Sequence, residues 1–437
     1  MKEKKMLIGY KIKDNIKKEN VYIDSKDSSI VIVSGKMGSG KTIYLNSLLE
    51  ESIKNNNCSF LLRFGNIDEI NTEYIKKKYP YSKLSIIDLS KKCEFYYTHD
   101  SVDETEIGKG EFHYRKIKKI SKTNSLLMDL LNSLDKDCPL TPHSRRYFIS
   151  ISNLYYYKYP EGSIRKLFKI IKSRNKTIEL LESVQLSLNR NSNFSYKELE
   201  HLDICIDFVS ENIQHNNSFQ KTPKLTNLFD KIDLLYQDYN ILKLLRSDLL
   251  NTKDFDKNIS RNCMTIINIP YRYKDSPYNS FIINYFFNKI FYSLDAYSEN
   301  IHSLKEDEYN DNNIQIDLFL EETTNLTLKS RRLLYQNRKL NVSPVIFTND
   351  LFSIKELTQD ICKVSNNLSF IFLSENRLCS SVVNIIENHF NEDEKKYFIS
   401  NLKNLHKFNA ISILNKNSKF YPLLIKLPEL ALEIEYN

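Results

Sequence analysis

Apolar positions fall into two textures along the chain. In the first hundred residues, and again from about 264 onward, they come as short β-branched runs. Between about 123 and 250 they recur at helical spacing. The runs 21–23 (VYI), 30–33 (IVIV), 59–64 (SFLLRF) and 84–89 (LSIIDL) read as strands. Ile43 to Lys54 reads as a helix with Leu45, Leu48 and Leu49 as its apolar positions, and DEINTEYIKKKY as another. Strands alternating with helices predict a parallel sheet with crossover helices. Residues 101–122 are charged and aperiodic, the pattern of a loop or ragged connection. Helices follow, punctuated by Pro139, Pro142, Pro160 and Pro223. Strand texture returns at 264–269, where Pro270 ends the run. It recurs at 314–320, 343–348, 368–373, 409–414 and 420–426. The apolar stretch 281–294 reads as a core helix, and the acidic segment 298–313 as a surface loop. The pattern predicts an α/β domain formed by residues 1–104 and 259–437, interrupted by an all-helical domain over 105–258.

A chain of 437 residues exceeds one ordinary core, and 41% hydrophobic residues exclude a disordered chain. The net charge of +8 favours anionic partners, nucleic acid among them, or serves solubility alone. Seven cysteines without a CxxC spacing read as free thiols in a reducing compartment. No run reaches the roughly 18 apolar residues of a membrane span. The best stretch is interrupted by Asn284, Asn288 and Lys289. The start, MKEKKMLIGYKIKD, carries no apolar signal region. The expectation is a soluble cytoplasmic protein with no integral membrane segment. The histidines show no metal-ligand spacing, and no Ser-His-Asp or Cys-His arrangement emerges. The aromatic run YFISISNLYYYKY, with Arg145, Arg146 and Lys158 nearby, reads as a helix packing its rings inward, with nucleic-acid contact as the alternative.

One motif carries chemistry by itself. Residues 35–42 read GKMGSGKT, behind a strand and ahead of a helix, the context a phosphate-binding loop requires. Glycines let backbone N–H groups wrap phosphate oxygens, and the following helix presents its positive end. Gly35, Lys36, Met37, Gly38, Ser39, Gly40, Lys41, Thr42 and Ile43 form the expected nucleotide site. Lys41 would face the β- and γ-phosphates and the Thr42 hydroxyl would ligate Mg²⁺, making ATP and Mg²⁺ the expected cofactors. The second half of such a site is an acid ending an apolar strand. IDLFLEE supplies Glu321 for the metal and Glu322 to polarise the attacking water. The bland alternative is two exposed glutamates opening a helix, and Asp88 is a lesser candidate acid. Asn349 ends the strand SPVIFT and could sense the γ-phosphate, while Arg338, in the helix-like SRRLLYQNRKL, could act as a finger on a neighbour's nucleotide. Taken bare, both read more readily as ordinary residues, with Arg338 exposed and solvated.

The ordered set of motifs resembles the FtsK/HerA superfamily of DNA pumps, and most of all the soluble motor part of type IV secretion coupling proteins. LIGYKIKDNIKKENVYIDSKDSSIVIVSG is similar to the family's lead into its loop, LFLEETTNL to its catalytic strand, and VIFTNDLFSIKEL to its sensor strand. Arg338 lies eleven residues before Asn349, which matches the family's spacing of finger and sensor. The resemblance implies a RecA-like P-loop NTPase core. It also implies a homo-oligomeric, hexameric ring that hydrolyses ATP between subunits to move DNA, with a relaxase or secretion channel as further partner and a peripheral place at the membrane. Two departures stand out: Glu321 replaces the usual Asp and Asn349 the usual Gln. The family's N-terminal transmembrane helices have no counterpart in this sequence. An ATPase acting on protein partners and a non-catalytic, nucleotide-gated assembly protein remain as alternatives.

Overall fold

The computed structural model describes residues 5–13, 17–24, 30–70, 72–81, 83–89, 109–135, 137–160, 162–190, 196–214, 223–245, 253–302, 314–322, 331–337, 339–364, 368–374, 378–406, 409–416 and 419–428. They form two compact units. One comprises residues 1–93, 253–276 and 290–437, the other residues 94–252 and 277–289.

The first unit is built on one sheet of eleven strands. In chain order these are β1 (Lys5–Lys13), β2 (Lys17–Asp24), β3 (Ile30–Ser34), β4 (Cys58–Phe64), β5 (Leu84–Asp88), β6 (Met264–Ile269), β7 (Ile316–Glu321), β8 (Val342–Thr348), β9 (Leu368–Phe372), β10 (Asn409–Lys416) and β11 (Lys419–Lys426). Across the sheet they run β2-β1-β11-β10-β9-β3-β8-β7-β4-β6-β5. The seven strands from β9 to β5 are all parallel. The four from β2 to β10 form an antiparallel flank. Strands β3, β4, β6, β7, β8 and β9 are buried at every residue. That is why they read as continuous apolar runs rather than alternations: a parallel sheet is covered on both faces. The helix Lys41–Lys54 supplies part of that cover, packing Tyr44, Leu45, Leu48 and Leu49 against Val31, Val33, Leu61, Phe319 and Phe347. Each such side chain taken out of water contributes about 1.5–3 kcal/mol.

Among its described residues, the regular elements of the second unit are all helices. Its helices are Lys109–Ser133, Pro142–Lys158, Ile164–Ile171, Arg174–Arg190, Tyr196–Gln214, Pro223–Tyr236 and Tyr239–Leu244. Proline and hydroxyl caps set their starts. Thr141 accepts the Ser144 N–H with Pro142 in the first turn, and Ser163 accepts the Lys166 N–H. The aromatic run packs inward as its spacing predicts, with Tyr147, Phe148, Tyr155 and Tyr156 buried.

Three expectations need correction. The stretch 101–122 is not all connection, because a helix begins at Lys109. Lys, Arg and Glu are good helix formers, and extending the apolar helix of SLLMDLLNSL backward adds one hydrogen bond per residue without a new nucleus. The helical unit also reaches outside 105–258, drawing in Pro277–Lys289. That part of the helix Tyr278–His302 buries Phe281, Ile282, Ile283, Tyr285, Phe286 and Phe287, and its polar residues Asn284, Asn288 and Lys289 are buried too, leaving no exposed face. Among the described residues of SRRLLYQNRKL, only Arg332–Tyr335 is helical. The hairpin of β1 and β2 had no clear signal over β1. No described helix is long and apolar enough to cross a membrane.

Candidate functional site

The glycine loop leaves the buried end of β3 and runs into the helix Lys41–Lys54. Gly40 caps that helix at φ +88°, a left-handed conformation that a side chain disfavours. At Gly35 the constraint is space: a Cβ there would lie 2.3 Å from Ser39 Oγ. The loop is pinned on both sides, since Gly35 N–H donates to Thr348 O of β8 (3.2 Å) and Lys36 N–H to Ser374 Oγ (2.8 Å). Met37 stands at its tip, 92% exposed. Thr42 and Ile43 are half-buried in the first helical turn.

Lys41 folds back into this loop. Its ammonium donates to Gly35 O at 2.6 Å and Lys36 O at 3.0 Å, and the side chain is buried. Burial holds its pKa below the ordinary lysine value, against the opposing pull of Glu322 and Glu321. Both acids therefore stand within electrostatic reach of the loop's lysine.

That convergence is a product of strand order. β7 lies one strand removed from β3, with β8 between them. The end of β8 serves both neighbours: Thr348 O accepts from Gly35, and Phe347 O accepts the Glu322 N–H at 3.0 Å. Glu321 is the last residue of β7 and is buried. Glu322 follows in the left-handed region at φ +58°, a conformation uncommon outside glycine; the other described non-glycine residues that adopt it, Asn56, Asn262 and Asn341, are asparagines, the residue type that tolerates it best. The chain thus breaks its alternation at the acids, where an extended strand would send successive side chains to opposite faces. Neither acid is exposed, Glu321 being buried and Glu322 half-buried. Asn349 is half-buried at the end of β8, between loop and acids. Asp88 ends β5, three strands from β7, where it accepts from Asn268 Nδ2 at 3.1 Å. Arg338 lies outside the described residues.

Three residues at the site carry no sequence signal of their own chemistry. Arg63 of β4 stands directly opposite Glu321 and is 0% exposed. Its Nε lies 3.0 Å from Glu321 Oε2, and its Nη2 pairs with Glu69. Lys274 lies 3.4 Å from Glu322 Oε2. Burial raises the Glu321 pKa above the ordinary carboxylate value; Arg63 opposes that shift, and Glu69 and Glu322 reinforce it. A single arginine inside the apolar run SFLLRF is the one clue the sequence holds, since an arginine is almost never fully buried unless paired.

Glu321 Oε2 and Glu322 Oε1 are buried and accept no hydrogen bond. Ser39 Oγ in the loop is likewise buried without one. Two carboxylates, a threonine hydroxyl and a lysine-lined glycine loop are the donor set that suits a hard divalent cation beside phosphate. The arrangement defines a RecA-like P-loop NTPase fold, its mainly parallel core joined in one chain to a helical unit.

Solved structures agree with that class. The bacterial conjugative coupling protein TrwB, lacking its first 70 residues, matches at a TM-score of 0.50 and 12% identity over 98% of this chain and 95% of that one. The same protein in complex with ADP and Mg²⁺ matches at 0.50 and 12%, over 98% and 96%. VirB4 of Thermoanaerobacter pseudethanolicus matches at 0.53 and 10%, over 99% and 98%. At these identities the likeness is one of fold. No protein-family model matches the sequence, and no curated protein does.

Proposed function

We propose that this chain is an ATP-hydrolysing motor of the type IV secretion class that moves DNA. The observation that carries the reading is that β7 ends in Glu321, followed by Glu322, within electrostatic reach of Lys41, which follows β3 one strand away across β8. The loop would hold the phosphates of ATP, with Lys41 leaving its carbonyls for the β- and γ-oxygens. Thr42 and Glu321 would hold Mg²⁺, which when bound neutralises charge on the leaving phosphates. Glu322, strained into place, orients the attacking water, and Asn349 reads the γ-phosphate from the strand between. The TrwB complex shows that this fold can take ADP and Mg²⁺, and the net charge of +8 suits a polyanionic cargo. Arg338 serves a neighbour's site across a ring.

The test is ATP hydrolysis by the purified protein with and without DNA, beside Lys41→Ala. DNA-stimulated turnover that Lys41→Ala abolishes supports the motor. Turnover indifferent to DNA transfers the reading to a protein-remodelling ATPase, and binding without turnover to a nucleotide-gated scaffold. DNA affinity should fall with salt, with a log–log slope of about 0.9 per duplex phosphate neutralised. An Arg338→Ala protein that assembles and turns over ATP at the wild-type rate removes the finger.

A further inference from the structure

The geometry points to Arg63 as the positioning residue for Glu321, held in turn by Glu69, so that the carboxylate is presented ready-aimed to a divalent cation. The inference rests on Glu321 being the metal-side acid.

The strand does not need an arginine at this position. Its neighbours Phe60, Leu61, Leu62 and Phe64 are apolar and fully buried, and Arg63 is equally buried among them. A guanidinium is charged at any accessible pH, and burying one is unfavourable unless it is paired. Arg63 is nevertheless under-satisfied, because Nη1 is buried without a hydrogen-bond partner and Nε meets Glu321 as an ion pair outside hydrogen-bond geometry. An apolar residue of similar volume would pack there at least as well. The fold around it also makes room: a Cβ on Gly65 would lie 2.3 Å from Nη2.

What the arginine gains is its place between two carboxylates. Register alone sets Arg63 beside Glu321 across β4 and β7, and beside Asn268 across β6. Glu69 approaches Nη2 from the short helical turn Ile67–Glu69 that follows β4. That turn is tied to the loop's helix, since Asn46 Nδ2 donates to Glu69 O at 3.2 Å and to Thr42 O at 3.0 Å. A continuous chain of contacts therefore runs from the helix bearing Thr42, through Glu69 and Arg63, to Glu321. The two residues expected to share one cation are held by one scaffold. Outer-shell partners of this kind fix a ligand's orientation, and losing one typically costs about 10–100-fold in metal affinity.

The test is equilibrium binding of a fluorescent ADP analogue, titrated with and without Mg²⁺, to wild type, Glu321→Gln, Arg63→Met and the double variant. Wild type should bind more tightly with Mg²⁺, and Glu321→Gln should lose that gain. Arg63→Met should keep its Mg²⁺-free affinity and lose about tenfold of the Mg²⁺-dependent gain, with the double variant no worse than Glu321→Gln. Equal weakening with and without Mg²⁺, or additive losses in the double variant, would overturn the positioning role. A wild type indifferent to Mg²⁺ would instead remove the metal site itself. If Arg63→Met does not fold, Glu69→Gln decides: a partial loss of the Mg²⁺ gain at unchanged Mg²⁺-free affinity supports the brace, and an unchanged gain overturns it.

Discussion

The two units hide their charges differently. Among the described residues, the α/β unit buries Lys41, Glu50, Arg63, Asp88, Asp317 and Glu321, whereas the helical unit buries Lys231 and Lys289. In the helical unit those charges are local matters: Lys231 donates to Asp135 O at 3.1 Å, and Lys289 lies 5.1 Å from the Tyr285 ring. In the α/β unit, Lys41, Arg63 and Glu321 meet at one end of the parallel strands, joined by Glu69, Glu322 and Lys274. Concentrating charge where water is excluded costs stability unless the pairing is good. In this cluster Glu321 Oε2 is held by the Arg63 ion pair, and Glu322 Oε1 is buried without a hydrogen bond. The helical unit instead packs an apolar and aromatic core whose buried polar side chains pair locally, Ser152 donating to Asn124 and Thr177 to Ile170 O.

That contrast can be attacked from either side. The largest effect is expected in the helical core: Phe148→Ala, which empties a fully buried ring site 6.5 Å from Phe168, should lower unfolding free energy by about 3–5 kcal/mol in a urea titration. ADP affinity of the folded protein should not change; if it falls, the two units are not independent in the way their charges suggest. Next comes Glu322→Gln, which keeps shape and removes charge. Turnover should drop about 100-fold, or about 2.7 kcal/mol in barrier, with ADP affinity retained. A variant that still turns over ATP at the wild-type rate would show the strained acid to be structural. Thr141→Ala removes the cap on the Ser144 N–H and should cost about 1 kcal/mol, read as a shift in the urea midpoint. The smallest change is expected at Ile204, which is 53% exposed on the helix Tyr196–Gln214. Ile204→Lys should alter stability by less than about 0.5 kcal/mol, and a larger loss would mean that this face is covered.

Much of the site is legible without coordinates because its signals are contiguous. GKMGSGKT needs eight adjacent residues, and the flanking strand and helix are visible in the same window. IDLFLEE announces a buried strand ending in acid. The opening hairpin is harder to see. β1 pairs with β2 and with β11, and only Tyr10 and Lys11 meet β11, opposite Lys426 and Ile425. Its sequence KMLIGYKIK alternates too weakly to declare a strand. The start of the helix at Lys109 fails for a related reason: a charged segment follows the conformation of the apolar helix it extends. Arg63 and Lys274 are invisible as site residues because the first belongs to a strand 258 positions from Glu321 in the chain, 321 − 63, and the second to a turn after β6.

By itself, then, the sequence determined the alternation of strands and helices, the glycine loop between β3 and its helix, and the acid-ended strand. Each of these follows from short-range rules of periodicity, backbone freedom and burial. Only the tertiary structure decided which strands are neighbours. Placing β8 between β3 and β7 brings the loop and both acids to one end of the sheet, and the register of β4 on β7 sets Arg63 against Glu321. Register is fixed by how whole faces bury together, a long-range property that no local window contains.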